Sequence, residues 1–536
     1  MVCNSGNGGK QLRSVCRLRT HRLRLSAGME VALIVFLLTL LALVALRSRG
    51  KQRRLPPLAD AGLLATVRAM TSAHAPWFLL ELASRRPRGS RVFRLRMPLL
   101  QHYVVVADVD AARLVFNARL DKPGLYADFD GAACGVPTMF TMKSSDPRWA
   151  HARKGVAHAF SPARIQRALL RGRGKLERVL QGLEELQGRP FDPAVLLTEL
   201  SLEMLGGSML GGFDFGLAAS AASCSASAGL EHNAPSALGR ELISNLERSL
   251  PEYALRQPND PVRKHLLRLL PAALASRCFP LAAAADDAAR RNMQIAQLVL
   301  DRFRQRRDEA SPEERAVMGD TILGHLVDND AYASERMRCA DVQSFLVAGH
   351  DTTGYTLAWL LCELARCPER GARLRDDLAR SQPAEAAPYL GACVHETLRL
   401  WSVGAMGSIR ETLEPIELAD GTCIPSGSIC QLPFLLLHRL ADIPAPDEWR
   451  PERWLDGDGK LRAPEGLLPV PFSLGPRNCV GQALAMAELK RVTAALVSRF
   501  VFEAVEPPTP DFFLTLKPSG ARLRARRWSA DEMART

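Results

Sequence analysis

The chain has 536 residues, 47% of them hydrophobic and 24% charged, with Gly and Pro in ordinary amounts. Such proportions exclude a disordered, collagen-like or disulfide-scaffold protein and allow a large buried core. The net charge of +13 would suit a nucleic-acid partner, but residues 1–54 hold eleven Lys or Arg against Glu30 alone. The rest of the chain carries only +3, and no nucleic acid is expected.

Residues 1–28 are basic and free of acids, the composition of an organellar leader or of a solvated tail. Val31–Leu46 is then apolar except for Thr39, about 24 Å of helix at 1.5 Å per residue. Ala27–Leu46 approaches bilayer length if Glu30 snorkels to the interface. Arg47, Arg49, Lys51, Arg53 and Arg54 follow at once. An apolar span closed by a basic cluster predicts a membrane anchor over residues 29–54 that leaves the body on the cytoplasmic side. Translation from Met29 would remove the competing charges in front of it. Residues 55–536 contain no second span of that length and are expected to form one large domain. The twelve cysteines show no regular spacing and no C-x-x-C pair, as expected for free thiols in a reducing compartment.

Within the body, Ser90–Met97 and Tyr103–Val109 predict β-strands from their β-branched, alternating content. From Asp146 to Leu400 the apolar spacing is helical, including a run over Val342–Leu364. It is interrupted by an Ala/Ser-rich insertion at 217–238 and a charged surface segment at 305–316. Strand-like pieces return over Ser408–Leu437. The fold class is therefore mainly α with a small β part at both ends.

The stretch Pro471-Phe-Ser-Leu-Gly-Pro-Arg-Asn-Cys479-Val-Gly481 presents one cysteine on a glycine-bearing loop just before a helix. Gly475 and Gly481 suit turns that a side chain would obstruct. A helix N-terminus supplies amide donors and positive potential that stabilise a thiolate and tune a metal bound to it. Arg477 could neutralise an acidic group of a bound cofactor. The pattern F-x-x-G-x-R-x-C-x-G, from Phe472 to Gly481, matches at all five fixed positions, a coincidence of about one in ten thousand for a chain this long. With Ala485 and Glu488 downstream, the sequence resembles the cytochromes P-450, the haem-thiolate monooxygenases.

Three further motifs stand in that family's order. Ala348-Gly-His-Asp-Thr-Thr353 lies in the helical run, with a costly mid-helix Gly349 that suits a groove over a flat cofactor. By resemblance Thr352 activates oxygen and Asp351 feeds it protons, while His350 holds a variable position and is not read as a ligand. Glu396-Thr-Leu-Arg399 places acid and base on one helix face. Family pattern supplies Arg453 as their third partner in a structural network. His395 approaches the zinc motif H-E-x-x-H, but Arg399 replaces its second His and zinc is rejected. Trp149 and Arg153 share a helix face and, with Arg410, are implied to reach the propionates of haem b. Where the family commonly shows prolines after E-x-x-R, this chain reads Leu400-Trp-Ser-Val-Gly-Ala-Met-Gly407. By position Met139, Phe140, Val403, Met406 and Phe513 would line the substrate pocket, with core packing as the alternative for each.

The resemblance implies a single catalytic domain of the cytochrome P-450 fold, in which Cys479 ligates haem iron. It implies insertion of one oxygen atom from O2 into a lipophilic substrate, with a weak lean toward fatty acids or sterols. No P-loop, G-x-G-x-x-G or G-x-S-x-G occurs, so electrons from NADPH would arrive through a separate reductase. An endoplasmic-reticulum anchor implies a diflavin reductase; a mitochondrial or plastid leader implies a ferredoxin. Two alternatives stay open: a reductase-independent haem-thiolate isomerase or dehydratase, against which Thr352 counts, and a non-catalytic haem or lipid binder.

Overall fold

The computed structural model describes residues 54–87, 89–97, 100–217 and 238–528. The leader, all of the anchor but Arg54, and nearly all of the 217–238 insertion lie outside these residues. Among the described residues no helix is long and apolar enough to cross a membrane.

Seven helices position the site: α1 (Pro147–Ala157), α2 (Pro162–Glu185), α3 (Pro193–Met209), α4 (Pro280–Glu309), α5 (Glu335–Arg366), α6 (Pro388–Leu400) and α7 (Gln482–Arg499). Their starts follow local chemistry. Asp146 caps α1 by accepting from the Arg148 amide, and Asp192 caps α3 by accepting from Ala194 and Val195. Proline stands at the first turn of both, where a missing N–H costs nothing. Helix α5 extends the expected run by seven residues at its start. It is the central helix, packed on α3, α4, α6 and α7.

α3 and α5 are buried over most of their circumference and cross at close range. A Cβ on Gly354 would lie 2.6 Å from the Thr198 Cα, and one on Gly349 would lie 2.8 Å from Leu205 Cδ2. Both glycines are thus accounted for by the contact with α3, and the Ser201 hydroxyl donates to the Gly349 carbonyl there (3.0 Å). Gly349 also lines the cavity that Cys479 opens into.

The small β part joins the two ends of the body. Strands β1 (Val92–Met97), β2 (Leu100–Val106), β3 (Leu120–Asp121), β4 (Ser408–Thr412) and β7 (Ile429–Leu432) form one sheet in the order β1-β2-β7-β4-β3. β2 and β7 run parallel with Tyr103 opposite Ile429, and the other pairs are antiparallel. The pairs β5 (Ile416–Glu417) with β6 (Cys423–Ile424), β8 (Phe500–Glu506) with β11 (Arg522–Arg527), and β9 (Thr509–Phe512) with β10 (Leu516–Ser519) complete it.

Three expectations change. Residues 107–109 leave the second strand, because Asp108 caps a helix that begins at Val109. Phe434–Arg439 is helical, not strand-like. The charged stretch at 305–316 breaks the helical run only at Ala310–Ser311: α4 continues to Glu309, and Ser311 with Glu314 forms a capping box that opens the next helix.

The segment that departs from the family's prolines packs with aromatic and polar contacts. Trp401 stacks on Trp359 at 3.9 Å, and its indole N–H donates to Glu363 Oε1 (2.7 Å).

Candidate active site

The cysteine loop is shaped by its own backbone. The Cys479 amide donates to the Phe472 carbonyl (2.9 Å), and the Asn478 amide to the Gly475 carbonyl (3.0 Å). Gly475 turns the chain at φ +74°, where an L side chain would be strained. Gly481 has φ −85°, and a Cβ there would make ordinary contacts, 3.6 Å to Phe160 and 3.9 Å to Cys479 Sγ. The turn itself does not demand glycine at Gly481, contrary to the expectation from sequence. α7 starts on the next residue.

Cys479 opens into a cavity of about 410 Å³ that is also lined by Ala348, Gly349, Thr352, Thr353 and Thr356 of α5. Phe472, Gly481 and Glu488 line the same space. Burial pushes the Cys479 thiol up from its ordinary value, while the amides of Gly481 and Gln482 and the charge of Arg153 favour the thiolate.

The rim of the cavity is cationic. Arg153, Arg410 and Arg477 line it together with Lys122, which sequence reasoning missed. None of the four forms an ion pair among the described residues. Arg153 donates to the carbonyl (2.9 Å) and side-chain oxygen (2.7 Å) of Asn478. Arg410 donates to the Ile409 carbonyl (2.9 Å) and reaches Ser473 Oγ at 3.4 Å. Arg477 donates to Ser144 Oγ (2.8 Å) and the Met139 carbonyl (3.2 Å), with its guanidinium 3.8 Å above the Trp149 ring. Burial, then the charge of Arg410, holds its pKa down to about 10. Lys122 sits 3.9 Å from the ring centres of both Tyr126 and Phe140 and donates to the Phe140 carbonyl. Burial and the three arginines push its ammonium well below the ordinary value. Trp149 is buried, and its indole N–H has no partner. A space with a thiol on one wall, four cations lacking counter-charges and a spare indole donor suits a flat, dianionic, metal-bearing ligand. Haem b, with two propionates, fits that donor set.

On α5, the Thr352 hydroxyl faces both this cavity and a second one, and donates to the Ala348 carbonyl (2.8 Å). Asp351 is buried with its Oδ1 2.7 Å from His350 Nε2. His350 is fully buried, its Nδ1 2.7 Å from the Leu346 carbonyl. Burial works to lower its pKa, but Asp351 and that carbonyl outweigh burial and raise it. His350 is therefore a buried partner of Asp351, consistent with a polar core residue that is no ligand. A second missed residue is Asp341, which accepts from the Met139 amide (2.7 Å) and the Tyr332 hydroxyl (2.5 Å); burial raises its carboxyl to about 6.

Behind the site, five donors converge on the buried carboxylate of Glu396. They are Arg399 Nε and Nη2 (both 2.8 Å), the Arg450 amide (2.8 Å), Arg453 Nε (3.0 Å) and the Trp454 indole (2.8 Å). Arg399 also ties the carbonyls of Pro446 (2.6 Å) and Glu448 (3.0 Å). The Trp454 indole was not foreseen as a donor in this cluster.

The second cavity, of about 350 Å³, adjoins the first through Tyr126, Phe140, Ser344, Ala348, Thr352, Gly404 and Gly407. Of the expected pocket residues, Met406 and Phe513 line this second cavity, Met139 and Val403 line the first, and Phe140 lines both.

Residues 270–525 match the family model for Cytochrome P450. The human protein cytochrome P450 4F12 is 36% identical over 208 residues, which cover 37% of this chain and 39% of that protein. Cytochrome P450 monooxygenase claO of Ampulloclitocybe clavipes is 30% identical over 246 residues, 40% of this chain and 46% of that one. The chain thus spans less than half the length of these curated relatives. The crystal structure of the cytochrome P450DA heme domain superposes on 89% of this chain and 98% of its own at a TM-score of 0.69 and 20% identity, and so shares the fold. The match to the Cytochrome P450 model spans α5, the Glu396 network and the cysteine loop, and nearly the whole described body shares the fold of a cytochrome P450 heme domain.

Proposed function

We propose that this chain is a haem-thiolate monooxygenase that inserts one atom of dioxygen into a lipophilic substrate, taking two electrons from NADPH and releasing the second oxygen as water. The observation that carries this is one cavity lined by Cys479, by Thr352 and by four basic side chains that form no ion pair among the described residues. Bound haem b would supply the iron at which dioxygen is reduced.

The chain's own residues do the rest. Cys479, as the thiolate, would ligate the iron of a bound haem, and the amides of Gly481 and Gln482 at the start of α7 favour that charged form. Lys122, Arg153, Arg410 and Arg477, with the Trp149 indole, bind and orient the two carboxylates of the cofactor. The Thr352 hydroxyl, which donates to the Ala348 carbonyl, would be the proton donor toward dioxygen bound in the cavity. Asp351, with its Oδ1 2.7 Å from His350 Nε2, is the carboxylate proposed to resupply that proton. The apolar walls of the second cavity exclude water from the substrate.

A diflavin reductase is the proposed electron donor and the endoplasmic-reticulum membrane the proposed location, both following from the anchor expected over residues 29–54. The first test is the carbon monoxide spectrum of the reduced, purified protein. A strongly red-shifted Soret band reports the axial thiolate, and its absence in the Cys479→Ser variant assigns the ligand. A wild-type spectrum typical of a neutral ligand would overturn the proposal. Reconstitution with a diflavin reductase or with a ferredoxin pair then identifies the donor. Turnover of lipid hydroperoxides without NADPH would favour the isomerase instead.

A further inference from the structure

We propose that the second cavity selects an uncharged lipophilic alcohol and rejects free carboxylates, so that the weak lean toward fatty acids does not hold for this chain. This rests on the monooxygenase reading, and it names the substrate class of that same site.

Charge decides the point. Among its described lining residues there is no Lys, Arg or His, and the one carboxylate, Asp351, already lies 2.7 Å from His350. The four cations of the site belong to the adjoining cofactor cavity, where two propionates would take up their charge. A carboxylate brought into the second cavity would lose its water and find no cation in the lining, so it should bind less tightly than a neutral head group on the same chain. An ammonium group would fare little better, because the Asp351 carboxylate is engaged.

Neutral polar groups are present. Gln343, on α5, is 2% exposed; its Nε2 donates to the Ala132 carbonyl (2.5 Å), and its Oε1 has no partner. The Ala132 carbonyl can only accept, which fixes the orientation of the amide and leaves an acceptor spare. Thr515 Oγ1 is likewise buried without a partner. A carboxylate cannot donate to Gln343, whereas a hydroxyl can. Gln343 precedes Thr352 by nine residues, about 13 Å of helix. The hydroxyl would therefore be held at the end of the cavity remote from the oxygen, and oxidation would fall on a carbon far from it.

The test is equilibrium dialysis of the haem-loaded full chain against radiolabelled dodecan-1-ol, dodecanoate and dodecylamine near neutral pH, with the reduced carbonyl spectrum recorded on the same sample. The alcohol should bind at least about tenfold tighter than the acid or the amine. Gln343→Leu should remove most of that margin by weakening alcohol binding. Asn259→Arg, which adds a cation at a half-buried lining position, should raise acid binding. Acid binding equal to or tighter than alcohol binding in the wild type would overturn the proposal, as would an undiminished margin in Gln343→Leu protein that retains the red-shifted band. Dialysis reads the binding order whether or not that band appears, so a missing band counts against the haem-thiolate reading alone.

Discussion

Replacing Arg399 by alanine tests the network that holds α6 behind the cofactor cavity. Glu396 and Arg399 are almost completely buried, and the guanidinium supplies two of the five hydrogen bonds that the carboxylate receives. Its removal leaves Arg453 as the one cation on a desolvated carboxylate and frees the Pro446 carbonyl. The Glu448 carbonyl keeps a 3.4 Å contact with Arg453. Breaking a buried pair on one side costs about 3–5 kcal/mol, and each orphaned carbonyl about 1 more, the sum being less than additive. Against a typical stability of about 5–15 kcal/mol, a loss of about 4 is a large fraction of the whole. Leu398, the neighbouring residue on α6, lines the cofactor cavity, so loosening this turn should also empty the site. Urea midpoints at constant m-value, together with haem content per chain, measure both effects. Arg399→Lys keeps the charge but not the fork and should lie between alanine and wild type. A loss below about 1 kcal/mol with full haem content in the alanine variant would refute the account.

Glu488 has a buried carboxyl with an unpartnered Oε1, and burial raises its pKa from 4.5 to about 8. A raised carboxyl pKa favours the protonated form in the fold, so stability falls as pH rises from about 4.5 to about 8 and changes little beyond. Glu488→Gln should match wild type near pH 4 and exceed it by about 3 kcal/mol at pH 7, with equal pH profiles as the refuting result. Thr352→Ala should consume NADPH and oxygen but lower product about a hundredfold, with Thr352→Ser restoring most of it; product yield that follows NADPH use in the alanine variant would remove the proton-delivery role. Arg410→Gln should speed loss of haem to an acceptor globin about tenfold or more, and an unchanged rate would separate Arg410 from the cofactor's carboxylates.

The parts of this protein that were legible in its sequence are those in which spacing and chemistry coincide. Cys479 with Gly475, Trp149 with Arg153, and Glu396 with Arg399 each lie within one loop or one helical turn, so local periodicity places them together. Lys122 and Asp341 gave no such signal. Lys122 joins Arg153, Arg410 and Arg477 only when segments far apart in sequence meet, and Asp341 meets the Met139 amide across about two hundred positions. The same limit explains Gly349. A mid-helix glycine invites a local explanation, whereas here Leu205 on another helix also crowds the position. Phe434–Arg439 was misjudged because a short apolar run fits a buried strand and a buried helix equally well.

Helix α5 carries Gln343, Thr352 and Gly354 on one rigid rod whose position is fixed by the contact of Gly354 with Thr198. On the substrate class proposed above, it would work as a ruler, with the substrate's hydroxyl at one mark and the reacting oxygen at another. Moving the acceptor from position 343 to position 347 shortens the ruler by one turn, about 6 Å, without disturbing the mark at Thr352. The oxidised carbon should then move along the chain toward the hydroxyl by a matching length. In such an arrangement the product is set by counting residues along a helix as much as by the shape of the walls.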